Sequence, residues 1–161
     1  VIVPETTLPV RSWRRGQPPI EHAGDRNENR NPHRNWKIRM NYSPISFTEK
    51  LSLVTEQWQP RVVAEMNDYQ FKVVRIEGDF VWHRHADTDE TFIVLEGVLR
   101  IDFRDGEVTV GPGEMFVVPK GKEHKPFAAS EVMMLLIEPR GVHNTGDQRT
   151  SERTAQNDVW I

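Results

Sequence analysis

A chain of 161 residues, 37% of them hydrophobic, is long enough for one domain with its own core. It contains no cysteine, which excludes disulfides and thiolate ligands, confines metal binding to His, Asp, Glu and backbone, and fits a cytoplasmic protein. The net charge of −3 hides an asymmetry: residues 1–39 carry eight basic against four acidic side chains, and residues 40–161 carry 13 against 20. An acidic body is poorly suited to a phosphate backbone, so no nucleic-acid partner is expected. No apolar run reaches 18 residues and no signal-peptide pattern is present, so no membrane partner is expected either.

Residues 1–39 hold five prolines, and four asparagines fall between positions 27 and 35. They show neither helical nor strand periodicity and read as a disordered or extra leader. The first methionine is Met40, where organised sequence starts soon afterwards. Met40 is therefore a candidate natural start, with a processed leader or a genuine arm as the alternative. The domain expected is 40–161, with a barrel core over about 61–138.

Ser46-Phe47-Thr48-Glu49 has the capping-box form and predicts a short helix over about 47–54. From Arg61 the code changes to strands: R-V-V-A-E-M, an Asn67-Asp68 turn, then Y-Q-F-K-V-V-R-I-E. Gly78-Asp79 breaks that run. Next come F-V-W-H-R-H, a polar A-D-T-D turn, and an apolar run from Glu90 to Leu95. V-L-R-I-D-F alternates, with Leu99, Ile101 and Phe103 on one face, and Asp105-Gly106 is a hairpin signal before E-V-T-V. After G-P-G come M-F-V-V, Pro119, K-G-K, a short strand over 123–127 carrying His124, and E-V-M-M-L-L-I-E. This makes about nine short strands with frequent turns, the pattern of an all-β sandwich or barrel. Met115, Val117, Met133 and Leu135 read as barrel core. The polar tail ends in Val159-Trp160-Ile161, which should dock on the body or on a partner chain.

Candidate ligands gather in one stretch. His83 and His85, two apart, share a face if the segment is a strand. Glu90 starts the next apolar run, alternating with Phe92 and Val94. Two imidazoles and a carboxylate suit a divalent transition metal, and His124 is the candidate fourth ligand. Asp89 competes with Glu90, but it belongs to the polar turn, as does Asp87. His22 and His33 lie in the leader, and His143 reads as structural or exposed.

In order, the chain reads G-x4-H-x-H-x4-E-x6-G from Gly78 to Gly97, and G-x5-P-x-G-x2-H from Gly113 to His124. These segments resemble the two signature motifs of the cupin superfamily, and the surrounding pattern is similar to small single-domain bacterial cupins. The resemblance implies a jelly-roll β-barrel with His83, His85, Glu90 and His124 on one metal, usually iron, manganese, nickel, zinc or copper, and often a homodimer. Trp58, Trp82 and the V-W-I end supply apolar surface for such a partner. Two positions depart from the pattern: four residues rather than five precede the first His, and Ala128 stands where Asn is common.

Three function classes fit the site: an Fe(II) dioxygenase-like enzyme, a Zn- or Mn-dependent isomerase or lyase, and a metal-dependent binding protein for a small ligand. No spare Tyr or His stands out as a base, which favours the first. Arg75 is the candidate for holding a substrate carboxylate, with an exposed edge arginine as the plainer alternative.

Overall fold

The computed structural model describes residues 42–161. The expectations placed on 1–39, on Met40, and on His22 and His33 lie outside the described residues.

Ser46 caps the first element, α1 (Phe47–Ser52), accepting the Glu49 backbone N–H at 3.3 Å. The helix is two residues shorter than its sequence suggested, because Leu53 already bonds back to Lys50 in a tightened last turn. Seven strands follow: β1 (Arg61–Met66), β2 (Tyr69–Asp79), β3 (Glu90–Glu96), β4 (Leu99–Phe103), β5 (Gly106–Val110), β6 (Met115–Val118) and β7 (His124–Pro139). Every ladder is antiparallel, in the order β1-β2-β7-β3-β6, while β4 joins β7 to β5. The all-β jelly-roll class expected from the sequence is the class observed.

Two readings of the strands need correction. The last two expected strands are a single one, β7. Its polar centre, around Ala129 and Ser130, is exposed at the place where β2 shifts register, so the chain continues without packing there. Residues 80–89 form no regular strand; they carry only the isolated bridge His83↔His124.

Strand alternation divides the apolar residues into two layers. Even-numbered residues of β2, β3 and β7 point into the barrel. Val74, Ile76, Phe92, Val94, Met134 and Leu136 are all buried there with Leu99, Ile101 and Val118. Odd-numbered residues face out, where Val73 and Leu135 pack with Leu51, Val54 and Val63 under α1. Toward one end of the barrel the inward face turns polar: Gln70, Lys72, Glu90 and Glu138 are buried. Met115 and Val117 are exposed rather than core, because β6 is a sheet edge and turns Val118 inward instead. Trp58 is buried too, stacked on Phe80 with ring centroids 4.7 Å apart and donating its indole N–H to the Glu77 carbonyl at 3.0 Å. It is therefore not interface surface.

The tail closes back onto the barrel. Val62 N–H donates to the Val159 carbonyl at 2.7 Å, and Ile161 N–H to the Val62 carbonyl at 3.1 Å. Further up, Asp147 N–H donates to the Arg84 carbonyl at 3.1 Å, and Arg84 N–H to Asp147 Oδ1 at 3.2 Å. Gly146 fits between them at φ +52, where a Cβ would collide with the Arg84 carbonyl. Gly146→Ala should lower stability by about 2 kcal/mol or more, since both the backbone angle and the carbonyl contact oppose it. Urea unfolding monitored by tryptophan fluorescence measures this, and a midpoint equal to wild type would refute the clamp.

Candidate metal centre

Three of the four expected ligands converge. Ligand atoms of His83, Glu90 and His124 lie within 4.8 Å of one another, all buried. His85 is also buried, but it groups with Glu90 and Glu138. Glu90 Oε2 joins the two groups, 3.2 Å from His124 Nε2 and 3.3 Å from His85 Nε2.

Backbone geometry explains how a loop and two strands meet. His83 and His124 exchange both backbone hydrogen bonds, at 3.0 and 2.9 Å, which brings their rings to 4.2 Å. Gly121 N–H donates to the His85 carbonyl at 2.7 Å, so the K-G-K turn supports the second ligand. Asp89 Oδ1 accepts the Lys120 N–H at 2.8 Å on the surface, which leaves Glu90 as the inward carboxylate.

Both bridged imidazoles are oriented in one way. His83 Nδ1 lies 3.0 Å from the Val81 carbonyl, and His124 Nδ1 lies 3.1 Å from the Lys122 carbonyl. A carbonyl only accepts, so Nδ1–H is the donor in each and Nε2 carries the lone pair. His83 Nε2 is buried without a hydrogen-bond partner. The His124 Nε2 lone pair faces an acceptor, the Glu90 carboxylate. Two acceptors facing each other need a cation or a shared proton between them. An orphaned buried nitrogen costs about 1–3 kcal/mol, and a divalent metal satisfies both at once. The three-imidazole, one-carboxylate donor set fits Fe, Mn, Zn, Ni or Cu.

The site is electrostatically polarised. Burial lowers His83 to about 4, outweighing the Glu90 charge that would raise it. Burial alone would raise Glu90, but the close contacts with His124, then with His85, outweigh it and hold the carboxyl low. For His85 burial acts downward, and the neighbouring Glu90 carboxylate reverses it. Burial, then the nearby Glu90 charge, raise Glu138 to about 7 against the pull of Lys72.

Next to His83 and Glu90 lies a small cavity of about 20 Å³, walled by Trp58, Phe80, Phe92, Met134 and Leu136, with Asn144 among its few polar groups. On the other side His85 borders a surface groove with Arg84, Asp87 and Arg149. Arg75 is not brought to the histidines. It lies on the odd-numbered face of β2, 3.7 Å from Glu131 and beside Met133, in the groove along α1. The sequence reading missed Glu138 and Lys72, whose available signal was their even-numbered position with Leu136 and Val74.

The family model of the Cupin domain matches residues 72–139. The uncharacterized protein YdbB of Bacillus subtilis is 38% identical over 77 residues, which cover 47% of this chain and 68% of that one. A crystal structure of a cupin-2 domain containing protein from Shewanella frigidimarina is 61% identical, over 60% of this chain and 94% of that one, with a TM-score of 0.59. A crystal structure from Neisseria meningitidis is 35% identical, over 60% of this chain and 99% of that one, with a TM-score of 0.55.

The lowered His83 value makes metal-free protein acid-sensitive. Between about 4 and 6.5 the unfolded imidazole binds a proton that the folded one refuses. Stability from this group is therefore lost as pH falls through that window, by up to about 3 kcal/mol. His85, shifted upward, acts with the opposite sign. Comparing wild type with His83→Gln isolates the His83 part: urea midpoints across this range should fall more steeply in wild type. Parallel profiles would refute it.

Proposed function

Since the chain belongs to the cupin superfamily, we propose that it is a metal-dependent enzyme acting on a small organic molecule, with His83, His85, Glu90 and His124 holding one divalent transition metal and dioxygenase-like chemistry as the reaction type. The observation that carries this reading is the pair of buried imidazoles whose Nδ1 atoms are tied to backbone carbonyls, leaving His124 Nε2 facing Glu90 and His83 Nε2 without a partner beside it. When bound, such a metal supplies Lewis acidity and open coordination positions, and as iron it supports O₂-dependent oxidation.

The chain's own groups have separate roles. The Val81 and Lys122 carbonyls set the imidazole tautomers. Glu90 provides the anionic ligand and remains ionised because the two histidines face it. Trp58, Phe80, Phe92, Met134 and Leu136 form a tight, dry, apolar wall beside the ligands, which must part to admit an apolar or aromatic substrate. Arg75 faces elsewhere and has no part in this reading.

One observation favours a second reading, a Zn- or Mn-dependent isomerase or lyase. Such chemistry needs a proton acceptor beyond the ligands, and Glu138 is a buried carboxylate beside His85 and Glu90. A binding protein without turnover would use the same site and cavity.

No helix among the described residues is long and apolar enough to cross a membrane. A homodimer is part of the proposal, supported by the exposed Met115 and Val117 on edge strand β6. Gel filtration should give twice the chain mass, and a monomer at micromolar concentration would remove this element.

Protein purified without chelator should carry about one transition metal per chain by elemental mass spectrometry, and as iron it should consume O₂ with small phenols or diketones. Zinc or manganese without uptake supports the second reading, and metal with ligand binding but no turnover supports a binder. His83→Ala and Glu90→Ala should remain folded and lose the metal. Wild-type metal content in both would overturn the ligand assignment.

A further inference from the structure

Glu138, Lys72 and Gln70 form a buried polar group that the four-ligand assignment leaves unused. Glu138 has no exposed surface, and Lys72 and Gln70 are nearly as enclosed, at 3% and 1%. The register accounts for their meeting. Gln70 pairs with Glu138 across β2 and β7. One step past the ladder pair Thr91↔Ile137, Glu90 falls opposite Glu138 on the same inward face. Two carboxylates thus stand side by side in a low-dielectric interior. Lys72 Nζ donates to Glu138 Oε1 at 2.9 Å and to Asn157 Oδ1 at 3.4 Å. Its single charge offsets only one of the two.

The other oxygen, Glu138 Oε2, is buried without a hydrogen-bond partner, and His85 Nε2, although 3.3 Å from Glu90 Oε2, is not aligned for a hydrogen bond to it. Ligand atoms of His85, Glu90 and Glu138 lie within 4.8 Å of one another. A fully buried carboxylate oxygen without a donor is costly, and breaking buried charge compensation is among the more destabilising events in a core. With both carboxylates ionised, the arrangement lacks positive charge at the point where His85 and Glu90 already converge.

We propose that Glu138 is a fifth protein ligand: its Oε2 joins His85 and Glu90 on the metal that His83 and His124 also hold, while Lys72 fixes Oε1. This inference rests on the metal site proposed above and extends it. Glu90 is the member common to both ligand groups, which are separate as they stand, so a single ion at its carboxylate draws on all five side chains by pulling the two groups together around it. Five protein ligands leave one open position on a six-coordinate ion. A substrate in the apolar cavity and a second reactant then cannot both bind the ion directly. Binding the ion also removes Glu138 as the spare base that an isomerase would need.

Metal-free protein of residues 1–161 would be titrated with Mn²⁺ alone against a competing chelator, and with Co²⁺ for its visible spectrum. Wild type should bind one ion per chain. Glu138→Gln should bind one ion with affinity reduced about tenfold or more, and its Co²⁺ bands should shift toward a lower coordination number. Wild-type affinity and spectrum in Glu138→Gln, with loss of metal in Glu90→Gln and His124→Gln, would overturn the fifth ligand and leave the four-ligand site intact. Unimpaired binding in Glu90→Gln and His124→Gln would overturn the site itself. Two ions per wild-type chain would overturn the single shared centre. Lys72→Met gives a check that does not depend on Glu138→Gln folding: with its ammonium removed, the metal becomes the remaining positive charge facing Glu138. Mn²⁺ should then raise the melting temperature of Lys72→Met more than that of wild type, and equal shifts would count against the proposal.

Discussion

The paired backbone bonds between His83 and His124 are the contact on which the site depends. They tie a segment without regular structure to the start of the longest strand, at 3.0 and 2.9 Å. Each residue also sends its ring N–H to a carbonyl two positions earlier in its own chain. The same four residues therefore fix the backbone, the tautomer and the direction of two lone pairs. No side chain beyond the histidines is needed to aim them. This leaves the surrounding positions free to be apolar, and Phe80, Phe92 and Phe103 pack edge-on or tilted against these rings.

The barrel interior is graded. Along β2, β3 and β7 the inward residues run from aliphatic side chains to Lys72 and Gln70, Glu90, and Glu138 at one end. Because strands alternate with a period of two, each strand contributes to the apolar core and to the polar end without changing direction. The apolar part fixes the register, since a one-residue slip would expose the whole inward set. Fixed register then places Glu90 opposite Glu138. Hydrophobic burial thereby supplies the precision that a charged cluster could not provide for itself.

Much of this was legible in the sequence, for identifiable reasons. Turns demand particular residues, so Gly97, with φ +83 and the Glu131 carbonyl 2.7 Å from where a Cβ would lie, appears as a glycine in any reading. Glu90 was separable from Asp89 by alternation with Phe92 and Val94. Glu138 and Lys72 were not seen because a charged residue near the end of an apolar run ordinarily marks a strand emerging into water. Their parity with Leu136 and Val74 was the overlooked signal. The strand division failed at Ala129 and Ser130, where polar residues mark an exposed stretch of continuous β7. His83 and His85 are both buried against Glu90 although residues 80–89 are not the regular strand that their spacing suggested, because the His124 bridge and the Gly121 contact impose what local periodicity does not. Trp58 turned inward because a tertiary contact with Phe80 outweighed its position in a polar stretch.

The contact between Asp147 and Arg84 has a temporal side. The five residues proposed to surround the metal are all encoded by position 138, yet Arg84, between His83 and His85, is held by one backbone bond and one side-chain bond from Asp147, a residue translated later. A nascent chain emerging from the ribosome therefore presents its histidines and carboxylates before it has the segment that sets their spacing. In that interval the segment between the two histidines lacks the partner that holds it. Arrival of the Thr145-Gly146-Asp147 turn then fixes the backbone between His83 and His85.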